Sequence, residues 1–165
     1  MRVLYINAFS LLYSGRFINS IESIRDTYRS GHYKKSLEVM ESIPHDPLSA
    51  RLLEQAAKLA GMLIYPVEPK GAWKLISDRN IFRRSSLAPD IDWTGKLRMG
   101  SDNHISRMRT HIQVAGVSEW RCCGDMYYWQ LNHLQHLYLK SPPDNGVTPQ
   151  LLRKIRAINK GGRDE

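Results

Sequence analysis

The side chains able to do chemistry in this chain gather in its second half. Cys122 and Cys123 stand side by side, His133 and His136 follow ten residues later at a spacing of three, and His104 and His111 lie upstream. Thiolates and imidazoles are zinc ligands, so any metal centre would be drawn from this set. On one continuous helix, however, neighbouring cysteines point about 100° apart, and His133 lies about 15 Å further along at 1.5 Å per residue. There is no C-x-x-C spacing. The expectation is a buried Cys123, a surface Cys122, solvated histidines and no metal. Asp90 and Asp92 flank Ile91 beside Pro89, a setting in which acidic residues more often form turns than act as a catalytic pair. A metal-free nuclease using His104 or His111 with nearby arginines needs groups that only tertiary structure can bring together. The chain contains no phosphate-binding glycine loop, G-x-S-x-G, H-E-x-x-H or G-x-G-x-x-G. It is therefore expected to be non-enzymatic, with no catalytic residues and no cofactor.

Positive charge is the stronger signal. The 165 residues carry 24 Lys and Arg against 16 Asp and Glu, a formal net charge of +8. Residues 1–66 hold eight basic and six acidic residues, and residues 67–165 hold sixteen and ten. The stretch from Arg79 to Arg109 alone has seven against three. Such a surplus attracts phosphate in a salt-dependent, sequence-independent way. The expected nucleic-acid contacts are Arg83, Arg84, Lys96, Arg98, Arg107, Arg109, Ser118 and Arg121, converging on one solvent-facing strip. Trp120, Met126-Tyr127-Tyr128-Trp129 and Tyr138 form the richest aromatic zone. Such residues fill a core or, exposed beside arginine, stack on bases and anchor partners.

Helical periodicity supplies the scaffold. Leu4, Ala8, Leu11 and Leu12 fit a first helix, and Phe17, Ile21, Ile24 and Tyr28 make the stripe of a second that ends at Ser30-Gly31. Tyr33, Leu37, Met40 and Ile43 mark a third before Pro44. Asp46 as N-cap with Pro47 at the first helical position opens a fourth that stops at Gly61. A short helix is expected around residues 72–82, then a loop through 101. Helix resumes at Asp102 with Ile105, Met108, Ile112 and Ala115 inward, and again from Ser118 through Leu139. Thr148 and Pro149 open the last one. The expected fold is all-α, with six to seven short helices. The expected divisions are 1–66, a basic linker at 67–101 and a helical unit at 102–165.

Two local patterns carry a resemblance. Gly31-His32-Tyr33-Lys34-Lys35-Ser36-Leu37 through Pro44 resembles the second half of a tetratricopeptide repeat, and the pentatricopeptide hairpin is similar. There a glycine turn, an aromatic, a small residue and a closing proline let two helices approach closely. The resemblance covers about residues 17–62 and implies hairpins that dock a protein partner or a second copy through Tyr28, Tyr33 and Leu37. Val114-Ala115-Gly116-Val117-Ser118 is similar to the turn of helix-turn-helix DNA-binding domains, over about residues 106–129. That likeness implies a supporting helix at Ser106–Val114 and a groove-reading helix at Ser118–Trp129. Glu119, Arg121 and Asp125 would face bases, and Arg107 and Arg109 would face phosphates.

Composition bounds the rest. Hydrophobic residues make up 42% and charged residues 24%, which excludes wholesale disorder. No apolar run approaches the roughly 18 residues of a membrane span, and the first residues carry no secretory pattern. Adjacent cysteines rarely pair, so a reducing, cytoplasmic setting is expected, with no membrane partner. The functional expectation is a small basic regulator that binds nucleic acid through its C-terminal half while its N-terminal hairpins dock a protein. The alternative is an adaptor, chaperone or inhibitor of a larger assembly, without nucleic acid.

Overall fold

A computed structural model describes residues 1–69, 71–97, 102–126 and 128–158. Arg98 and Tyr127, named above, lie outside the described residues. The chain begins with β1 (Arg2–Ile6), followed by α1 (Ala8–Leu12), α2 (Gly15–Ser20), α3 (Glu22–Ser30), α4 (Ser36–Ser42) and α5 (Pro47–Leu59). Next come β2 (Leu63–Pro66), α6 (Ala72–Asp78), a 3-10 turn (Arg84–Ser86) and α7 (His104–Ala115). The order ends with β3 (Glu119–Gly124), a 3-10 stretch (Tyr128–Leu137), β4 (Tyr138–Lys140) and α8 (Pro149–Arg156). The strands form one sheet in the order β2-β1-β3-β4 with every pairing parallel. The fold is α/β, which corrects the all-α expectation.

The correction has a physical source in β1. Val3, Leu4, Tyr5 and Ile6 are all fully buried. Leu4 and Ile6 join the core built with α1, α4, α5 and α8, while Val3 and Tyr5 join the core built with Ile105 and Met108 of α7. A strand covered on both faces reads as a continuous apolar run, and a run this short cannot be told from helix by periodicity. In β3 only Cys122, Cys123 and Gly124 are buried, and Glu119, Trp120 and Arg121 are half-buried. The helix expected over Ser118–Trp129 is instead an inner strand for its first half, paired to β1 from Arg2↔Glu119 to Ile6↔Cys123. No helix follows the Gly116 corner to enter a groove. Gly116 does take the left-handed backbone (φ +67°) as the C-cap of α7. The chain then turns to run beside the N-terminus, with Ser118 N–H donating to Met1 O at 2.9 Å.

Segments 1–66 and 102–165 thus each contribute two strands to a single sheet. Local signals were obeyed where they were explicit. The Asp46 carboxylate accepts from Ser49 N–H at the start of α5, and the Thr148 hydroxyl accepts from Leu151 N–H at the start of α8.

At the carboxyl end of the sheet the loops after β1 and β3 are stapled together. Asn7 N–H donates to Cys123 O at 3.0 Å, and its side-chain amide donates to Asp125 O. Asp125 N–H donates to Ser10 Oγ at 2.9 Å. Gly124 sits inside this staple with φ +104°; a Cβ there would lie 2.9 Å from both Asn7 Cβ and Ser10 Oγ. Gly124→Ala therefore costs both backbone strain and the staple, about 3 kcal/mol, whereas Gly116→Ala, with nothing within 4 Å, costs only about 1 kcal/mol. Urea unfolding of the two variants, compared by midpoint at unchanged slope, checks the difference.

Candidate functional site

Ligands of open parallel sheets bind outside the carboxyl ends of the strands. Because the gap between β1 and β3 is filled by the Asn7–Asp125 staple, the open cleft lies to the β2 side. It measures about 360 Å³ and is walled by Tyr65 and Glu68 at the end of β2, Trp73 of α6, the 90–94 loop and Arg107 of α7.

The loop wall is organised by one carboxylate oxygen. Asp90 Oδ1 accepts from Tyr65 Oη at 2.6 Å, from Ile91 N–H at 2.9 Å and from Trp93 Nε1 at 3.0 Å. Trp73 Nε1 donates to Ala88 O at 2.9 Å, fixing the second indole. Behind this wall lies His111, fully buried and stacked on the Tyr65 ring at 3.8 Å. His111 Nε2 is 2.9 Å from Pro89 O, which can only accept, so Nε2 carries the proton and Nδ1 accepts from Tyr5 Oη at 2.7 Å. Burial holds this imidazole below its ordinary pKa, consistent with a neutral ring. A central strand, a helix and a loop are thereby locked into one network.

Glu68 is the chemically distinctive group. It is 2% exposed; Oε1 accepts from Phe9 N–H at 2.8 Å, and Oε2 has no hydrogen-bond partner among the described residues. Burial raises its pKa to about 7, although amides at the start of α1 and the charge of Arg107 pull the other way. Arg107, 5% exposed, lies over the Trp93 ring at 4.1 Å and reaches Asp102 at 3.3 Å, and its Nε has no partner among the described residues. Glu68 and Arg107 thus line the cleft together with the positioned indoles of Trp73 and Trp93.

The expected site residues are dispersed. Arg83 and Arg84 are exposed at the 3-10 turn, Lys96 and Arg109 are exposed on the 90–97 loop and on α7, and Arg98 lies outside the described residues. Ser118 Oγ donates to Met1 O at 3.0 Å. Arg121 donates to Trp120 O and lies 3.7 Å from Glu119, whose carboxylate also binds Arg2 at 2.6 Å. Arg107 is the member of the set drawn into the cleft, and it is buried rather than part of a surface strip. Tyr28 and Tyr33 stack at 6.0 Å, with Tyr28 exposed, and Leu37 packs beside Gly71 at the cleft edge.

Cys122 and Cys123, adjacent on a strand, point to opposite faces, and both are fully buried, which corrects the surface position expected for Cys122. Burial pushes the Cys122 thiol up to about 12. His133 and His136 are exposed, and His104 lies in the first turn of α7 with its pKa lowered by burial. Sequence reasoning missed Glu68, Trp73 and Trp93. The available signal was a carboxylate directly after the apolar run Leu63–Val67, which marks a strand's end once that run is read as a strand.

Comparison with protein-family models, curated proteins and solved structures finds no match to this chain.

The position of Glu68 has a consequence for stability. Folding raises its pKa from 4.5 to about 7, so the folded state holds the proton more tightly than the unfolded chain. Stability conferred by the protonated form is then present below pH 4.5 and is lost as pH rises through about 7. Relative to Glu68→Gln, the native protein loses up to about 3 kcal/mol across that window. Urea unfolding of both proteins as a function of pH measures it.

Proposed function

We propose that this chain is a ligand-binding α/β domain whose cleft at the end of β2 takes a small, uncharged, hydroxyl-bearing molecule with an apolar face. The observation that carries this reading is that two residues lining the cleft, Glu68 and Arg107, each hold a buried polar atom, Oε2 and Nε, without a partner among the described residues. A buried polar atom without a partner costs about 1–3 kcal/mol, and a ligand that satisfies it recovers that cost. Charge selects the ligand class. Among the described residues, Asp90 and Asp92 line the cleft against the guanidinium of Arg107, which disfavours anions. The Trp93 face is already engaged by Arg107, which disfavours a competing cation. A hydroxyl group both donates and accepts, so it suits a carboxyl oxygen beside a guanidinium N–H, and the indole of Trp73 suits the apolar face of a ring. Glu68, titrating near neutrality, accepts from a ligand hydroxyl when ionised and donates to it when protonated.

The indole N–H signals of Trp73 and Trp93 report on this directly in proton–nitrogen correlation spectra. Titration with methyl glucosides, methyl galactosides and myo-inositol moves those two signals with a Kd of about millimolar or tighter for at least one compound. The affinity differs between about pH 5.5 and about pH 8.5, on either side of the Glu68 midpoint, and Glu68→Gln removes that difference. Absence of any shift at Trp73 and Trp93 across the panel overturns the reading.

A further inference from the structure

A second concavity shares no residue with the cleft. It lies between α5 and the segment carrying Arg83, beside the amino end of β2, and encloses about 590 Å³. That is the size of a small-molecule site, at the opposite end of the strand from the cleft. Met62 and Leu63 line it with apolar surface.

Its rim is cationic by construction. Arg51 and Lys58 are seven residues apart on α5 and so share one helical face, with Glu54 on the same stripe between them. Glu54 Oε1 accepts from Arg83 backbone N–H at 2.7 Å, which ties the third cation's segment to the helix. Among the described residues, the side chains of Arg51, Lys58 and Arg83 form no ion pair, so three positive groups face one concave apolar surface against one carboxylate. Like charges so placed repel, and an anionic group set among them relieves that repulsion while apolar atoms leave water against Met62 and Leu63.

We propose that this groove binds a free, monomeric anionic amphiphile, with one carboxylate, sulfonate or phosphate head at Arg51, Lys58 and Arg83 and an apolar body on Met62 and Leu63. The inference is independent of the polar cleft, with which this groove shares no lining residue.

The probe is 1-anilinonaphthalene-8-sulfonate, whose fluorescence rises in apolar surroundings, alongside its uncharged relative N-phenyl-1-naphthylamine. The native protein binds the sulfonate more tightly than the neutral dye, and added salt weakens only the former. The double variant Lys58→Gln/Arg83→Gln loses roughly tenfold in sulfonate affinity and keeps its affinity for the neutral dye. Decanoate below its aggregation concentration displaces the sulfonate, and decanol does not. Equal binding of both dyes, displacement by decanol as readily as by decanoate, or a double variant that binds like the native chain each overturns the proposal. Capture of the protein by anionic phospholipid vesicles without binding of free decanoate overturns it too, because the site would then belong to a membrane surface.

Discussion

Holding a carboxyl group out of water is the constraint around which the carboxyl edge of this sheet is arranged. Glu68 stands two residues past the edge strand β2 and is almost wholly buried. Its charged form is disfavoured there, and the Phe9 amide together with the charge of Arg107 offsets only part of that cost. A carboxyl group near neutrality with one oxygen unpartnered is costly to keep for packing alone. Such groups recur where a protein binds or transfers protons.

The rest of the structure makes that environment rigid. β1 is buried on both faces and hydrogen-bonded on both edges, so the loop that begins at Asn7 has little freedom. The Asn7–Asp125 staple links the loops at the centre of the sheet, and the cleft opens beside β2. On the other side, Tyr5, His111 and the Pro89 carbonyl form a chain of hydrogen bonds that ends next to Asp90, which in turn sets Tyr65 and the Trp93 indole. Arg107 packs on that indole, so its guanidinium is placed by the loop as much as by its own helix. Buried polar networks of this kind favour one arrangement because a partial alternative strands a donor or acceptor.

How much of this was legible depended on range. Signals carried within a few residues were readable: Asp46-Pro47 and Thr148-Pro149 open helices, and Gly116 takes a left-handed turn. The strands were not readable. β1 pairs with partners about 60 and 117 residues away, as in Val3↔Leu63 and Arg2↔Glu119, and buried parallel strands lack the polar alternation that betrays an exposed one. That misreading also hid the site. Once residues 118–129 are taken as helix, Cys122 and Cys123 lie about 100° apart instead of on opposite faces of a sheet. Once Leu63–Val67 is not a strand, Glu68 has no reason to stand out. Arg107 stood out in the sequence as a basic residue expected to meet phosphate. Its partners, Asp102 apart, are distant in sequence, so the sequence pointed to a phosphate contact where the fold packs it against Trp93 and toward Glu68.

The most direct measurement is the titration of the Glu68 side-chain carboxyl itself, followed by carbon NMR on selectively labelled protein and assigned through Glu68→Gln. The account predicts a midpoint near 7 in the free protein and a displaced midpoint once the cleft is occupied by a hydroxylated ligand. A midpoint in the ordinary glutamate range, unmoved by any such ligand, would contradict it.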